Sequence, residues 1–267
     1  VDGNPRVLPA QSHALWLSSI VFDGGRAFEG VTPDLDLHCE RLITSCRNFG
    51  MNPVLSVGEV EELAREGVAK FPSDAELYIC PMMWAEHGQS ASVDPNSTRF
   101  TTMVHDAPLP PATGFSAHLS RFRRPTPESA PTYTKSSGLY PIAAQALAEA
   151  AAKGFGNAVM QDMIGNVAEF ANSNIFIAKD GKVHTPAING TFLNGITRQR
   201  IIHLLRDTGV EVFERAITWS EVMDADEVFN SGNFAKVVPV TRLEEREIQP
   251  GVIATRAREL YWEYAHK

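Results

Sequence analysis

The chain has 267 residues, 43% of them hydrophobic and 21% charged, close to the globular average, so it has the apolar side chains for a sizeable core and is not a disordered chain. No apolar run approaches the roughly 18 residues of a membrane span, and 24 Lys and Arg against 32 Asp and Glu leave a formal charge of −8, which argues against a dedicated nucleic-acid binder. Three cysteines, Cys39, Cys46 and Cys80, form neither a disulfide framework nor a CxxC zinc pair, and with no signal or transit segment visible they point to a reducing, cytoplasmic compartment.

The chain opens on Val1 rather than Met, so the natural N-terminus is expected upstream. Residues 37–50 carry apolar side chains at helical spacing and stop at Gly50. Cys39 and Cys46 share a face there with Leu42 and Phe49 and are expected as buried thiols. Ser56 and Glu59 have capping-box spacing ahead of Val60, Leu63, Ala64, Val68 and Phe71. Residues 76–85 and 99–105 read as strands, and the three prolines and glycine of 106–114 as a linker.

Beyond it, 115–122 reads as a strand and 140–153 as an alanine-rich helix, with Pro141 in its first turn and Gly154 just past its end. Short strands are expected near 157–162, 167–169 and 174–178. Asp180-Gly181 predicts a type I′ turn joining 174–179 to 182–185. A helix opens near Gly195 and runs to Asp207, Thr218 and Glu221 form a second capping box, 226–229 and 236–240 read as strands, and 250–266 as a closing helix. The fold class is α+β, with a small N-terminal α/β domain over 1–105, an interdomain linker over 106–117 and a larger C-terminal α/β domain over 118–267.

Several residues carry candidate chemistry. Lys135 stands among small and hydroxyl residues, with Arg121, Arg123 and Arg124 upstream; it reads as a nucleophile or as an ordinary surface lysine. Gly195-Ile196-Thr197-Arg198 at a helix start offers backbone N–H groups and a hydroxyl to an anion, or is a plain capped helix. Ser231-Gly232-Asn233 is a second anion-binding turn or a simple β-turn, and Arg41 a phosphate clamp or a solvated helix arginine. Glu169 lies between apolar residues, so its carboxylate needs a partner: a protonated heterocyclic nitrogen, or a buried arginine. His13, His38 and the other histidines show no metal-ligand spacing, and no metal is expected.

Taken in order, these segments resemble one family. Ser12-His-Ala-Leu15, Val21-Phe-Asp-Gly-Gly-Arg26, His38-Cys-Glu-Arg-Leu42, Leu77-Tyr-Ile79, Lys135-x-x-Gly-x-Tyr140, Glu169-x-x-x-x-Asn-Ile-Phe176, Gly195-Ile-Thr-Arg198 and Ala225-Asp-Glu-Val-Phe-x-Ser-Gly232 are similar to the class IV, or fold type IV, aminotransferases, nearest to the branched-chain branch. The resemblance runs from about Ser12 to about Ala265. It implies the cofactor pyridoxal 5′-phosphate and a two-domain fold type IV enzyme. Lys135 would hold the cofactor covalently and shuttle the proton. Tyr140 would bond the cofactor's phenolate oxygen, and Glu169 would keep its pyridine nitrogen protonated. Arg41, Ile196, Thr197 and Asn233 would hold the phosphate, and Leu193 would pack under the ring. The resemblance also implies a homodimer, with a small-molecule amino donor and keto acceptor as partners.

Where the branched-chain enzymes carry an arginine, a Thr-Ala turn and a tyrosine, this chain has Cys80, Asn233-Phe234 and Leu17. Losing a bidentate arginine weakens carboxylate discrimination. Arg26, Arg121 or Arg123 would then supply a replacement cation, or remain solvated charges. Phe22, Met82, Trp84, Phe122 and Phe170 would line an apolar pocket, or pack as core. The resemblance therefore implies a transaminase moving an amino group between a hydrophobic amino acid or primary amine and a 2-keto acid. Its rivals are an (R)-selective amine transaminase, an aminodeoxychorismate-lyase-like enzyme and a catalytically inert scaffold.

Overall fold

The computed structural model describes residues 3–267. The chain divides into two compact units. Unit 1 comprises 3–30, Asp34–Asp106 and Tyr133–Leu139; unit 2 comprises Val31–Pro33, Ala107–Thr132 and Tyr140–Lys267. The first large boundary falls between Asp106 and Ala107, but the units exchange short segments that a linear division at a linker misses. The stretch carrying Lys135 belongs to unit 1, although it was expected in the C-terminal domain. The linker is also shorter than 106–117, because a strand begins at Phe115.

Unit 1 contains α1 (His13–Leu17), β1 (Ile20–Phe22), β2 (Gly25–Ala27), α2 (Leu35–Asn48), α3 (Val57–Val68), β3 (Leu77–Ala85), the small hairpin β4 (Gly88–Gln89) and β5 (Ser92–Val93), and β6 (Thr98–Asp106). Strand β3 is the centre of an antiparallel sheet. It pairs with β1 and β2 on one edge and along its whole length with β6 on the other. The period-2 alternation sorts its side chains. Leu77, Ile79, Met83 and Ala85 join Val21, Cys39, Leu42, Cys46, Val60 and Ala64 in the core beneath α2 and α3. Tyr78, Cys80, Met82 and Trp84 fall on the opposite face. The capping box of Ser56 and Glu59 is formed, and Gly50, at φ +83°, ends α2 as the residue free to adopt that angle.

Unit 2 contains β7 (Phe115–Arg123), α4 (Tyr140–Ala152), β8 (Asn157–Gln161), β9 (Val167–Phe170), β10 (Asn174–Lys179), β11 (Lys182–Pro186), α5 (Ile196–Asp207), β12 (Val212–Arg215), α6 (Trp219–Asp224), β13 (Glu227–Gly232), β14 (Lys236–Leu243), β15 (Arg246–Glu247) and α7 (Val252–Ala265). One mixed sheet runs in the order β12-β11-β10-β13-β14-β7-β8-β9, with β15 on β14. The parallel pairs are β11 with β12, β14 with β7, and β7 with β8; the others are antiparallel. Asp180 and Gly181 both take positive φ, +50° and +75°, as the type I′ turn requires. Ala143, Ala146 and Ala150 give α4 a flat face that comes close to Ala158 and Met160 of β8. No helix among the described residues is long and apolar enough to cross a membrane.

Candidate active site

In unit 1 the catalytic candidate is held by backbone bonds. The Phe22 N–H donates to the Lys135 carbonyl at 3.0 Å, the Lys135 N–H donates to Ser45 Oγ at 3.2 Å, and Val21 bridges to Ser136. The Lys135 ammonium lies 4.6 Å from the centroid of the Phe22 ring, an arrangement in which the π face attracts the cation. Phe22 pairs with Met82 in the β1–β3 register, and Arg26 with Tyr78 in the β2–β3 register. Phe22, Arg26, Cys80, Met82 and Trp84 therefore share the face of the small sheet that points away from its core. Leu17, half-buried, ends α1 just before β1.

The surroundings of that face are specific. Burial pushes the Cys80 thiol up to about 11, with the Lys135 charge opposing the shift. Trp84 Nε1 donates to Glu86 at 2.9 Å. Arg26 is fully buried, which corrects the reading of it as a solvated charge. Burial lowers its pKa, with Glu76 and Tyr78 opposing. Cys39 and Cys46 are buried free thiols, pushed up by desolvation to about 12 and about 11.

Arg41 is not a solvated helix arginine either. Its Nε and one terminal nitrogen donate to the two oxygens of Asp23, at 2.7 and 2.8 Å. The same carboxylate accepts from the Gly24 N–H at 2.7 Å and pairs with His38 Nδ1 at 2.6 Å. This fork uses two of the five guanidinium N–H bonds and aims the group as a whole. Sequence reasoning missed Asp23, although an acid in Val-Phe-Asp-Gly-Gly, between an apolar strand and a glycine pair, marks a carboxylate set apart from solvent.

In unit 2, Glu169 has the arginine partner that sequence left as one of two alternatives. Arg124 Nε lies 3.1 Å from Glu169 Oε1, and both side chains are buried. Asn174 Nδ2 donates to Glu169 Oε2 at 3.3 Å and to the Leu193 carbonyl at 3.0 Å. Asn174 also pairs with Ser231 in the β10–β13 register, and a β-carbon at Gly195 would collide with its Oδ1. One asparagine thus ties together Glu169, the loop before α5 and the end of β13 at Ser231. A carboxylate offers about four acceptor sites, and the arginine and the amide fix which way this one faces.

Helix α5 opens on Gly195, whose missing side chain leaves the first N–H groups uncapped. Ile196 and Thr197 are buried at that end. Ser231 Oγ and Asn233 Nδ2 are buried and have no hydrogen-bond partner among the described residues. Two orphaned donors at one turn fit an oxyanion such as a phosphate. Arg198 is structural: it reaches Asn194, the Pro186 carbonyl and Glu214.

In this unit Phe170 is fully buried in the core, the packing alternative that sequence left open, edge-on to Phe115 with ring centroids 5.2 Å apart. Phe122 packs against the alanine face of α4, with Arg121 over its ring at 4.8 Å. Arg123 donates to the Asp162 carbonyl at 3.3 Å. Tyr140, the first residue of α4, and Phe234, at the tip of the β13–β14 turn, are exposed.

The family described as amino-transferase class IV matches residues 20–243. A probable branched-chain-amino-acid aminotransferase of Rickettsia felis is 33% identical over 236 residues, covering 87% of this chain and 80% of the relative. An aminotransferase from Brucella abortus bound to the co-factor PLP superimposes with a TM-score of 0.98 at 49% identity, covering 99% of this chain and 95% of that one. A branched-chain aminotransferase from Thermoproteus uzoniensis with norvaline gives 0.91 at 27% identity, covering 97% and 89%.

Proposed function

The chain belongs to the class IV aminotransferases, and from that premise we propose how its own residues carry out the reaction. It is a pyridoxal-phosphate-dependent transaminase that moves an amino group between a hydrophobic amino acid or primary amine and a 2-keto acid. When bound, the cofactor supplies an aldehyde that takes up the amino group and a ring that stores the electron pair left when the substrate carbon loses its proton.

The observation that carries the reading is the position of Lys135: its amine stands over Phe22 on an otherwise largely apolar sheet face. Lys135 Nζ would hold the cofactor, and the same amine would move the proton at the substrate carbon. Glu169, oriented by Arg124 and Asn174, would accept the N–H of the pyridine ring. The uncapped N–H groups of Ile196 and Thr197, together with Ser231 and Asn233, would receive the phosphate. Arg41, braced by Asp23, would add a guanidinium to the phosphate. Tyr140 would bond the ring's phenolate oxygen, and Leu193 would pack against the ring.

Phe22, Cys80, Met82 and Trp84, with Leu17, favour an apolar substrate side chain. Replacing the family's arginine by Cys80 favours amines without a carboxylate as additional donors. Exposed Leu15 and Trp16 on α1 support a homodimer, and three free buried thiols suit a cytoplasmic setting.

Borohydride reduction followed by peptide mass spectrometry should find the cofactor on Lys135. A half-reaction screen should show bleaching of the cofactor with L-leucine or with (R)-1-phenylethylamine. Transfer from neither donor class would overturn the substrate reading, and a cofactor on another lysine would overturn the site.

A further inference from the structure

Strand β14 opens on a lysine to which the family resemblance gives no role. Lys236 is fully buried and has φ +62°. Gly232 pairs with Lys236 across the hairpin, leaving a three-residue loop of Asn233, Phe234 and Ala235. In such loops the residue that re-enters the strand takes the left-handed conformation, and glycine is the usual occupant because a side chain there is strained. Here a lysine accepts that strain. The surroundings enforce it: Arg258 of α7 donates to the carbonyls on both sides, Ala235 at 3.2 Å and Val237 at 2.9 Å. Strain held in place in this way is a reason to look for a function.

The ammonium of Lys236 donates to Asn233 Oδ1 at 2.7 Å and lies 5.2 Å from the centroid of the buried Tyr261 ring. An ammonium has only donors, so the amide atom it meets must be the oxygen. That contact settles the orientation of the Asn233 amide. Its Nδ2, buried and without a partner among the described residues, is thereby left as a donor. The lysine also places its amino group one side chain behind that donor, in a buried setting where a positive charge acts strongly on an anion.

The geometry points to Lys236 as a positioning residue for the cofactor phosphate: it locks the Asn233 amide with its N–H bonds toward the oxyanion and adds a second-layer cation. The inference rests on the reading of the Asn233 turn as part of the phosphate site. It explains why an asparagine works where relatives of the resemblance carry a threonine. A hydroxyl finds its own rotor, whereas an amide needs something to choose which end faces the anion.

The test compares holoenzyme of the wild type with Lys236→Met, Lys236→Gly, Lys236→Arg and Asn233→Ala. Pyridoxal-phosphate affinity is read by equilibrium dialysis, the bound phosphate by its 31P resonance, folding by thermal midpoint, and acceptor use by the KM for a 2-keto acid. Lys236→Met and Lys236→Gly should weaken cofactor binding by about tenfold, the range of one charge-assisted hydrogen bond, and move the 31P resonance. Lys236→Arg should recover most of the affinity. Lys236→Gly should keep or raise the thermal midpoint, because glycine suits the left-handed angle, and so separates loss of function from loss of fold.

If Asn233→Ala weakens the cofactor while Lys236→Met and Lys236→Gly leave affinity and resonance at wild-type values, the inference is overturned and the phosphate reading stands. If Asn233→Ala also leaves both unchanged, the reading of the turn as a phosphate site fails, and the inference with it. An effect confined to the keto-acid KM assigns the pair to the substrate carboxylate and also overturns it.

Discussion

Asp23 is fully buried and receives hydrogen bonds from Gly24, His38 and Arg41. Burial alone would raise its pKa; Arg41 and His38 together outweigh burial and hold the carboxyl well below the usual carboxylate range. A carboxyl depressed in the folded state stabilises above its unfolded pKa, near 4, and that contribution is lost as pH falls toward the folded value. Asp23→Asn should therefore cost stability at pH 7, on the order of 3 kcal/mol because the half-buried Arg41 loses its counter-charge. It should also flatten the loss of stability between pH 4 and pH 2; urea denaturation across that range measures both. Lys135→Ala should abolish covalent cofactor attachment and slow transfer by at least about a hundredfold, the least that removing a positioned acid–base group costs. Single-turnover absorbance with one amino donor reads this directly.

At the scale of elements, helix ends matter most. Ser56 caps α3 by accepting from the Glu59 N–H, and Glu59 answers on the Ser56 N–H at 2.7 Å. Ser56→Ala should cost about 1 kcal/mol and lower the melting midpoint by about 2–4 °C for a chain of this size, with transfer rates unchanged. The start of α5 is uncapped because Gly195 must clear Asn174. Gly195→Ala would force Asn174 off the Leu193 carbonyl and Glu169. The expected result is weaker pyridoxal-phosphate binding, read by equilibrium dialysis. The long elements were readable because their periodicity and caps are local: α2, α4, α5 and α7, the strands β3 and β6, and the Asp180-Gly181 hairpin. The three-residue strands β1 and β2 and the short α1 were not. Segments that short carry no full period, and each is a strand or helix only because β3 or its neighbours supply its partners.

At the scale of the whole molecule, the two units are not contiguous in sequence. Tyr133–Leu139 leaves the C-terminal part of the chain and joins unit 1, where the Phe22 N–H and Val21 bond to it. A fragment ending at Asp106 would leave that edge bare, so it should melt lower than the full chain's unit 1 and expose its first strand to hydrogen exchange. On the proposal of a homodimer through α1, Trp16→Glu should shift the sedimenting species from dimer to monomer, because it puts a charge on an exposed aromatic surface.

The sequence by itself determined the family and, through that resemblance, the cofactor; most elements were legible as well, because each depends on residue types at short, ordered spacings. It also named the Glu169 carboxylate as needing a partner. Tertiary structure alone decided that Arg124 and Asn174 supply that partnership, that Asp23 braces Arg41, that Phe170 is core and that Lys236 orients Asn233. Those pairings join residues between 3 and 45 positions apart, and the closest of them depends on a left-handed turn. Spacing along a chain encodes a helix or a strand; which buried charge meets which amide is set only when the sheets bring their edges and turns together.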